Sequence, residues 1–449
     1  MNLFDLAYGI GLGAAAPYWL LKPSARRKVF EAFRTRMAHE PGRATSHPAV
    51  MIHAVSVGEL NATPILVQLL EQARPELRYI ISATTNTGFE RANELYGKHS
   101  KATVIRYPLD FSSAIRRMLD GQRPSAVVLM ELEVWPNLMK ACAHQEIPVI
   151  LLNGRVTPGS YRNYRLGTFI TTAMFRRLAF VCAQDQTYAD RFISLGVPPD
   201  RVRVTGTMKF DTAQITDKVA GADQLAAETG LRPGQEKIWV CGSTGPGEEP
   251  IVLEAYAELL KADPRLRLVI VPRKPERFDE VAELIQSRGY ALIRRSQARG
   301  NAAPKKSEGN PIILGDTMGE LRKFYNLADV VFVGRTLVDL GEKQHGSDMI
   351  EPAALAKPVV VGPFTHNFAE AMNRFREAGA MKEIAASEQT PAAQVLREAI
   401  HELLAAPFEA AAMGTAAREV VKKNQGATAR GVEAILSYLV APVSASRGS

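Results

Sequence analysis

The stretch Ala49-Val50-Met51-Ile52-His53-Ala54-Val55-Ser56-Val57-Gly58-Glu59-Leu60 sets how the rest of the chain is read. An apolar run over Ala49–Val55 passes straight into a glycine and a helix start, and the first turn of that helix carries a carboxylate. A strand feeding a helix in this way is half of a βα unit. In an open α/β sheet, ligands bind at the carboxyl ends of the strands, so Glu59 stands where a general base would face a cleft. The same residues, Ser56-x-x-Glu59, also spell a capping box, in which the Glu satisfies a backbone donor at the helix start. Read locally, both remain open.

Working outward, short β-rich runs recur at Arg78–Thr84, Ala102–Arg106, Ser125–Met130, Ile147–Leu152, Phe180–Ala183 and Val202–Thr205, with helical stretches between them. That alternation predicts a parallel sheet with helices on both faces. A polar stretch and Arg232-Pro233-Gly234 mark a break. A second series then runs through Lys237–Cys241, Leu266–Val271, Ile312–Leu314, Val330–Val333 and Pro358–Val361. The expected fold is α/β: two Rossmann-like, doubly wound domains facing a cleft, over 49–225 and 236–425. A C-terminal helix and tail follow over 426–449, and 296–310 reads as a surface loop. Two-Rossmann glycosyltransferases share this build with some epimerases and phosphorylases, so fold alone does not choose the chemistry.

Composition narrows the field. A chain of 449 residues with 46% hydrophobic and 23% charged residues is globular and long enough for two cores. Its net charge of +8 suits a partner bearing phosphate, whether nucleotide, nucleic acid or anionic lipid. Cys142, Cys182 and Cys241 are widely spaced among apolar neighbours, which reads as buried reduced thiols rather than a disulfide framework or a metal site.

Residues 3–21 (LFDLAYGIGLGAAAPYWLL) are broken only by Asp5, and about 20 such residues can span a bilayer. No basic residue precedes them, whereas Lys22, Arg26, Arg27, Lys28, Arg34 and Arg36 follow. By the positive-inside rule the bulk of the protein lies in the cytoplasm. Residues 1–22 are therefore expected to be a membrane anchor, spanning or lying in the interface, and 23–48 a basic amphipathic connection over anionic headgroups. Gly9-x-Gly11-x-x-Ala14 imitates a dinucleotide fingerprint, but no strand precedes it.

Several motifs could carry chemistry. Gly242-Ser243-Thr244-Gly245-Pro246-Gly247 follows a strand and opens a helix, so Ser243, Thr244 and nearby N–H groups are candidates for holding a donor phosphate. Glu248 and Glu249 would then complement the helix dipole. Pro272-Arg273 ends a strand with a guanidinium suited to phosphate. Thr317-Met318-Gly319-Glu320 reads as another capping box, and Glu351 could reach ribose hydroxyls. Lys209 follows the last strand of the first series. Glu131 and Glu133 follow the Ser125–Met130 strand, and two carboxylates there are unusual without a partner cation. GxxxxGK[ST] is absent, which disfavours P-loop hydrolysis, and Asp-x-Asp is absent, which favours metal-free chemistry.

The segments HAVSVGE (53–59), MELEVWPN (130–137), TMKFD (207–211), GSTGPGEE (242–249), VPRKPERF (271–278), DTMGEL (316–321) and EPAALAKPVVVGPFTHNF (351–368), in this order, resemble the transferases of 3-deoxy-D-manno-octulosonic acid (Kdo) in lipopolysaccharide synthesis. The resemblance implies an inverting glycosyltransferase of the GT-B build at the cytoplasmic face of the inner membrane. It would move Kdo from CMP-Kdo to a lipid A precursor, with no metal or other cofactor and no nucleic-acid partner. Glu59 then matches the general base, and Glu131 and Lys209 the pair that stabilises the transition state. Pro272, Arg273, Met318, Gly319, Glu320 and the segment Asp348-Met349-Ile350-Glu351 match the CMP-binding positions. The family's usual Gly-Gly-His-Asn-Pro run is replaced here by residues 341–350, with Asp348 where Asn is expected. Readings outside the family are a sugar-nucleotide epimerase, a transferase with another donor, or a membrane-tethered nucleotide-binding protein.

Overall fold

The computed structural model describes residues 2–21, 36–37, 47–301, 310–341, 344–387 and 389–439. Most of the basic stretch 23–48, residues 302–309 of the polar loop and the tail from 440 lie outside the described residues. The chain forms two compact units, Met1–Thr212 with Asn424–Ser449, and Ala213–Lys423.

In the first unit seven strands are all parallel: β1 (Ala49–Ala54), β2 (Arg78–Ala83), β3 (Ala102–Arg106), β4 (Ala126–Met130), β5 (Val149–Gly154), β6 (Phe180–Ala183) and β7 (Val202–Val204). They lie in the order β3-β2-β1-β4-β5-β6-β7. Every residue of β1, β4 and β5 is buried, as a sheet covered on both faces requires. Strand order reverses between β1 and β4, where Ile52 pairs with Val128. That crevice is the topological switch point at which open α/β sheets bind ligands.

The second unit repeats the plan with β8 (Lys237–Thr244), β9 (Leu266–Pro272), β10 (Leu292–Arg294), β11 (Ile312–Leu314), β12 (Val330–Val333), β13 (Val359–Val361) and β14 (Lys382–Glu383), in the order β10-β11-β9-β8-β12-β13-β14. Here the order reverses between β8 and β12. The edge strands β10 and β14 are three and two residues long, too short to leave a periodic signal in the sequence.

The unit boundary falls earlier than the expected 225. Residues 213–225 belong with the second unit because Asn326 accepts from Val219 N–H and donates to Asp217 O, while Arg322 donates to Gln214. The chain also returns. The helix Ala427–Tyr438 packs Val432 and Ile435 against Leu152, Cys182 and Met208, so it completes the first unit's core.

Leu3–Leu21 is helical over 19 residues, yet among the described residues no helix is long and apolar enough to cross a membrane. Asp5, the one charge in the segment, is 7% exposed and accepts from Ser112 N–H and Asn137 Nδ2. The first turn is thus tied to the first unit rather than left with an unpaired charge.

Candidate active site

On the first unit, Glu59 lies in the first turn of the helix after β1 and Glu131 directly follows β4, the two strands that flank the switch point. Ser56 caps the helix Val57–Ala73 and the capping box is complete: Glu59 N–H donates to Ser56 Oγ, and Glu59 Oε1 accepts from Ser56 N–H. The carboxylate does more than cap. Oε2 accepts from Val55 N–H at 2.8 Å and Oε1 from the Ser56 hydroxyl at 2.7 Å. Burial pushes the Glu59 carboxyl up to about 7, opposed by the Ser56 and Val55 hydrogen bonds and reinforced by the charges of Glu131 and Glu133. A carboxylate tuned to neutral pH suits a general base.

Glu131 adopts a left-handed backbone, φ 57°, rare for a residue with a side chain. Its N–H donates to Leu152 O across the sheet. Glu133 accepts from the Trp135 indole at 3.0 Å, and burial together with Glu131 raises its carboxyl above the usual range. Lys209 reaches the same edge by a different route. Asn153, at φ 55° near the end of β5, accepts from Met208 N–H at 3.1 Å and from the Thr207 hydroxyl at 3.3 Å. Asp211 then caps the returning helix through Gly426 N–H and Thr428 N–H. The 207–211 segment is pinned on both sides of Lys209.

On the second unit the glycine-rich loop is built otherwise than as an open phosphate cradle. Ser243 and Thr244 are the last residues of β8, Ser243 at φ 56°, and both are buried. Glu248 is fully buried and supplies the anion itself. Its carboxylate accepts from Gly245 N–H (2.8 Å), Arg335 N–H (2.6 Å), Thr336 N–H (2.9 Å) and Leu337 N–H (2.9 Å). It clamps the loop after β8 to the loop after β12. Glu249 holds Arg277 bidentately in the interior. Neither acid merely complements the helix dipole.

What remains for a ligand lies beside this clamp. Pro272 ends β9, and Arg273 is exposed, its N–H donating to Thr244 O. Glu351 sits in a short helix, Ile350–Ala354, after Asp348 and Met349. Burial and the nearby Asp348 push its carboxyl up to about 7, against the opposing pull of Arg322 and Arg273. These side chains therefore share one electrostatic field. The Glu320 carboxylate is engaged elsewhere: Arg295 grips it at 2.9 and 3.2 Å, Thr317 and Lys323 donate to it, and it is held down to about 2. The helix begins only at Leu321, so Thr317 and Glu320 touch without forming a capping box. Met318 and Gly319 are left to offer backbone and an exposed thioether. Among the described residues, no three His, Cys, Asp or Glu side chains are grouped as metal ligands.

Residues 31–212 match the family model described as 3-deoxy-D-manno-octulosonic-acid transferase (kdotransferase). A 3-deoxy-D-manno-octulosonic acid transferase of Haemophilus influenzae is 33% identical over 414 residues, covering 91% of this chain and 92% of the relative. The chain belongs to the Kdo transferase family. A relative of the same description from Bordetella pertussis is 34% identical over 447 residues, covering 96% and 99%. Among solved structures, a UDP-GlcNAc 2-epimerase from Neisseria meningitidis matches in fold, with TM-score 0.58 at 17% identity over 87% of this chain and all of that one.

Sequence reasoning missed Asn153 and gave Glu248 a different role. Asn153 lies inside what reads as a strand end, and only its left-handed backbone and its amide's distant partners reveal it. Glu248 was noticed for the wrong neighbour, since its targets lie 87 to 89 positions away.

Proposed function

We propose that the protein transfers Kdo from CMP-Kdo to a lipid A precursor, with inversion, at the cytoplasmic face of the inner membrane. The observation that carries this reading is the Glu59 carboxylate, tuned to about 7 at the switch point of a chain of this family. The acceptor sugar hydroxyl gives its proton to Glu59 as its oxygen attacks the anomeric carbon. The bond from that carbon to the CMP phosphate breaks, and CMP leaves with the electron pair. Glu131 and Lys209 stabilise charge at the reacting centre, the lysine balancing the departing phosphate, so no divalent ion is required. Arg273 grips the phosphate, Met318, Gly319 and the neighbouring backbone line the nucleotide, and Glu351 accepts from ribose hydroxyls. Ser243 and Thr244 shape the loop beneath the donor. The helix at 3–21 holds the protein to the membrane surface.

Single-turnover assays with CMP-Kdo and a tetraacylated disaccharide acceptor, run with excess chelator, test the proposal. Transfer at an undiminished rate is expected. Consumption of UDP-sugars with CMP-Kdo untouched would replace it by an epimerase or a transferase of another donor. CMP binding without any turnover would leave a nucleotide-binding protein.

A further inference from the structure

The first unit holds a cavity of about 490 Å³ that the chemistry above does not use. One wall is the N-terminal helix, through Tyr8 and Gly11. The floor is the loop after β3, with Tyr107 and Phe111, and the rim carries Arg36 and Trp135. Its lining is mostly apolar, and its polar groups are few. Asp110 is occupied, accepting from the Tyr8 hydroxyl at 3.2 Å and from Asn137 N–H and Leu138 N–H at 3.0 Å. Arg36 donates through Nε to Tyr107 O at 2.9 Å, which holds its guanidinium at the cavity. A guanidinium has further N–H donors for a ligand oxygen, and the apolar remainder suits a flexible alkyl chain. Two further features fix the direction of entry. Leu6 and Ile10, on the same helix, are 50% and 63% exposed, so the wall presents apolar side chains outward. Trp135 links the rim to the acidic edge, since its indole donates to Glu133.

We propose that this cavity takes one fatty acyl chain of the acceptor, with the acyl carbonyl on the Arg36 guanidinium. The assignment rests on the lipid-acceptor reading above and adds the part of the protein that recognises the lipid. A substrate held there presents its sugar toward Glu133, on the edge that carries Glu59 and Glu131.

Gly11→Leu tests it in the full-length protein. A Cβ at Gly11 meets nothing within 4 Å, and Leu is a better helix former than Gly, so the fold is retained while the cavity is filled. The probe is dibromostearate, read by quenching of Trp135, with Trp135→Phe as the control for signal from other tryptophans. Quenching should saturate in the native protein, weaken about tenfold in Gly11→Leu and largely vanish in Trp135→Phe. The ratio of kcat/KM for the tetraacylated acceptor to that for its deacylated counterpart should fall by a similar factor in Gly11→Leu. Equal probe affinity in Gly11→Leu and the native protein overturns the assignment, as does quenching that survives in Trp135→Phe. If no Kdo transfer is found yet Gly11→Leu still abolishes probe binding, the acyl site stands and the acceptor reading fails.

Discussion

Glu59→Gln separates the two roles that the capping box and the general base assign to one side chain. The native carboxylate receives Val55 N–H at 2.8 Å, Ser56 N–H at 3.2 Å and the Ser56 hydroxyl at 2.7 Å. Glutamine keeps one acceptor oxygen and turns an NH2 toward the other donors, so one backbone hydrogen bond is lost. That costs about 1–2 kcal/mol, or roughly 3–6 °C in Tm for a unit of this size. The proton balance makes the cost depend on pH. The folded-state carboxyl is raised from 4.5 to about 7, so protonation favours the folded protein below about 4.5, and this contribution is lost as pH rises through 7. Native stability therefore declines across that window while the variant's does not, and the gap between them narrows toward neutral pH. Transfer behaves differently. Losing the base removes about 10²–10⁴ in kcat, and native kcat/KM should fall about tenfold for each pH unit below 7. Single-turnover Kdo transfer across pH 5.5 to 8.5, with thermal denaturation at each pH, measures both. A variant whose chemical step stays within about threefold of native, or that keeps the limb near pH 7, refutes the general-base assignment.

The remaining expectations concern residues around that edge and the donor half. Glu131→Gly relieves a left-handed backbone and should leave stability unchanged or slightly higher, by about 0.5–1 kcal/mol, while transfer falls about a hundredfold; thermal melts paired with initial rates check it. Asn153→Ala frees the 207–208 backbone and should lower kcat more than it raises KM, at about 1–2 kcal/mol in stability by urea titration. Glu248→Ala orphans four backbone donors in a buried site and should destabilise the second unit by more than about 3 kcal/mol, with CMP affinity lost in calorimetry. Because the Glu351 carboxyl is raised to about 7 and accepts from hydroxyls more strongly when ionised, CMP affinity should weaken as pH falls from 8 to 6, and Glu351→Gln should flatten that dependence.

Much of the architecture was legible because parallel strands buried on both faces leave unbroken β-branched runs. Ala49–Ala54, Ala126–Met130 and Leu266–Pro272 emerge within a residue or so of where the pattern puts them. Glu59 was legible as a residue just past a strand's carboxyl end; the capping box it spells is complete, and the general base is the role we propose for the same carboxylate. Long-range pairing was not legible. A carboxylate next to a helix start looks like a dipole partner, and nothing near Glu248 announces amides on a loop almost ninety residues later. The same limit hid the home of Ala427–Tyr438, since an amphipathic helix does not name the sheet it covers. Glu320 shows the converse: its motif was visible, but Arg295 and Lys323 claim its charge.

The return of the chain to its first unit has a consequence for synthesis. Leu152, Cys182 and Met208 precede the stretch 213–423, whereas the Val432 and Ile435 that cover them are translated only after it. On the ribosome the contiguous stretch 213–423 is complete before its predecessor can finish its own core. The earlier segment must wait with an apolar face uncovered, in the state most open to chaperone capture and aggregation. A ribosome stalled near residue 423 should therefore display a protease-resistant later unit and a still-cleavable earlier one.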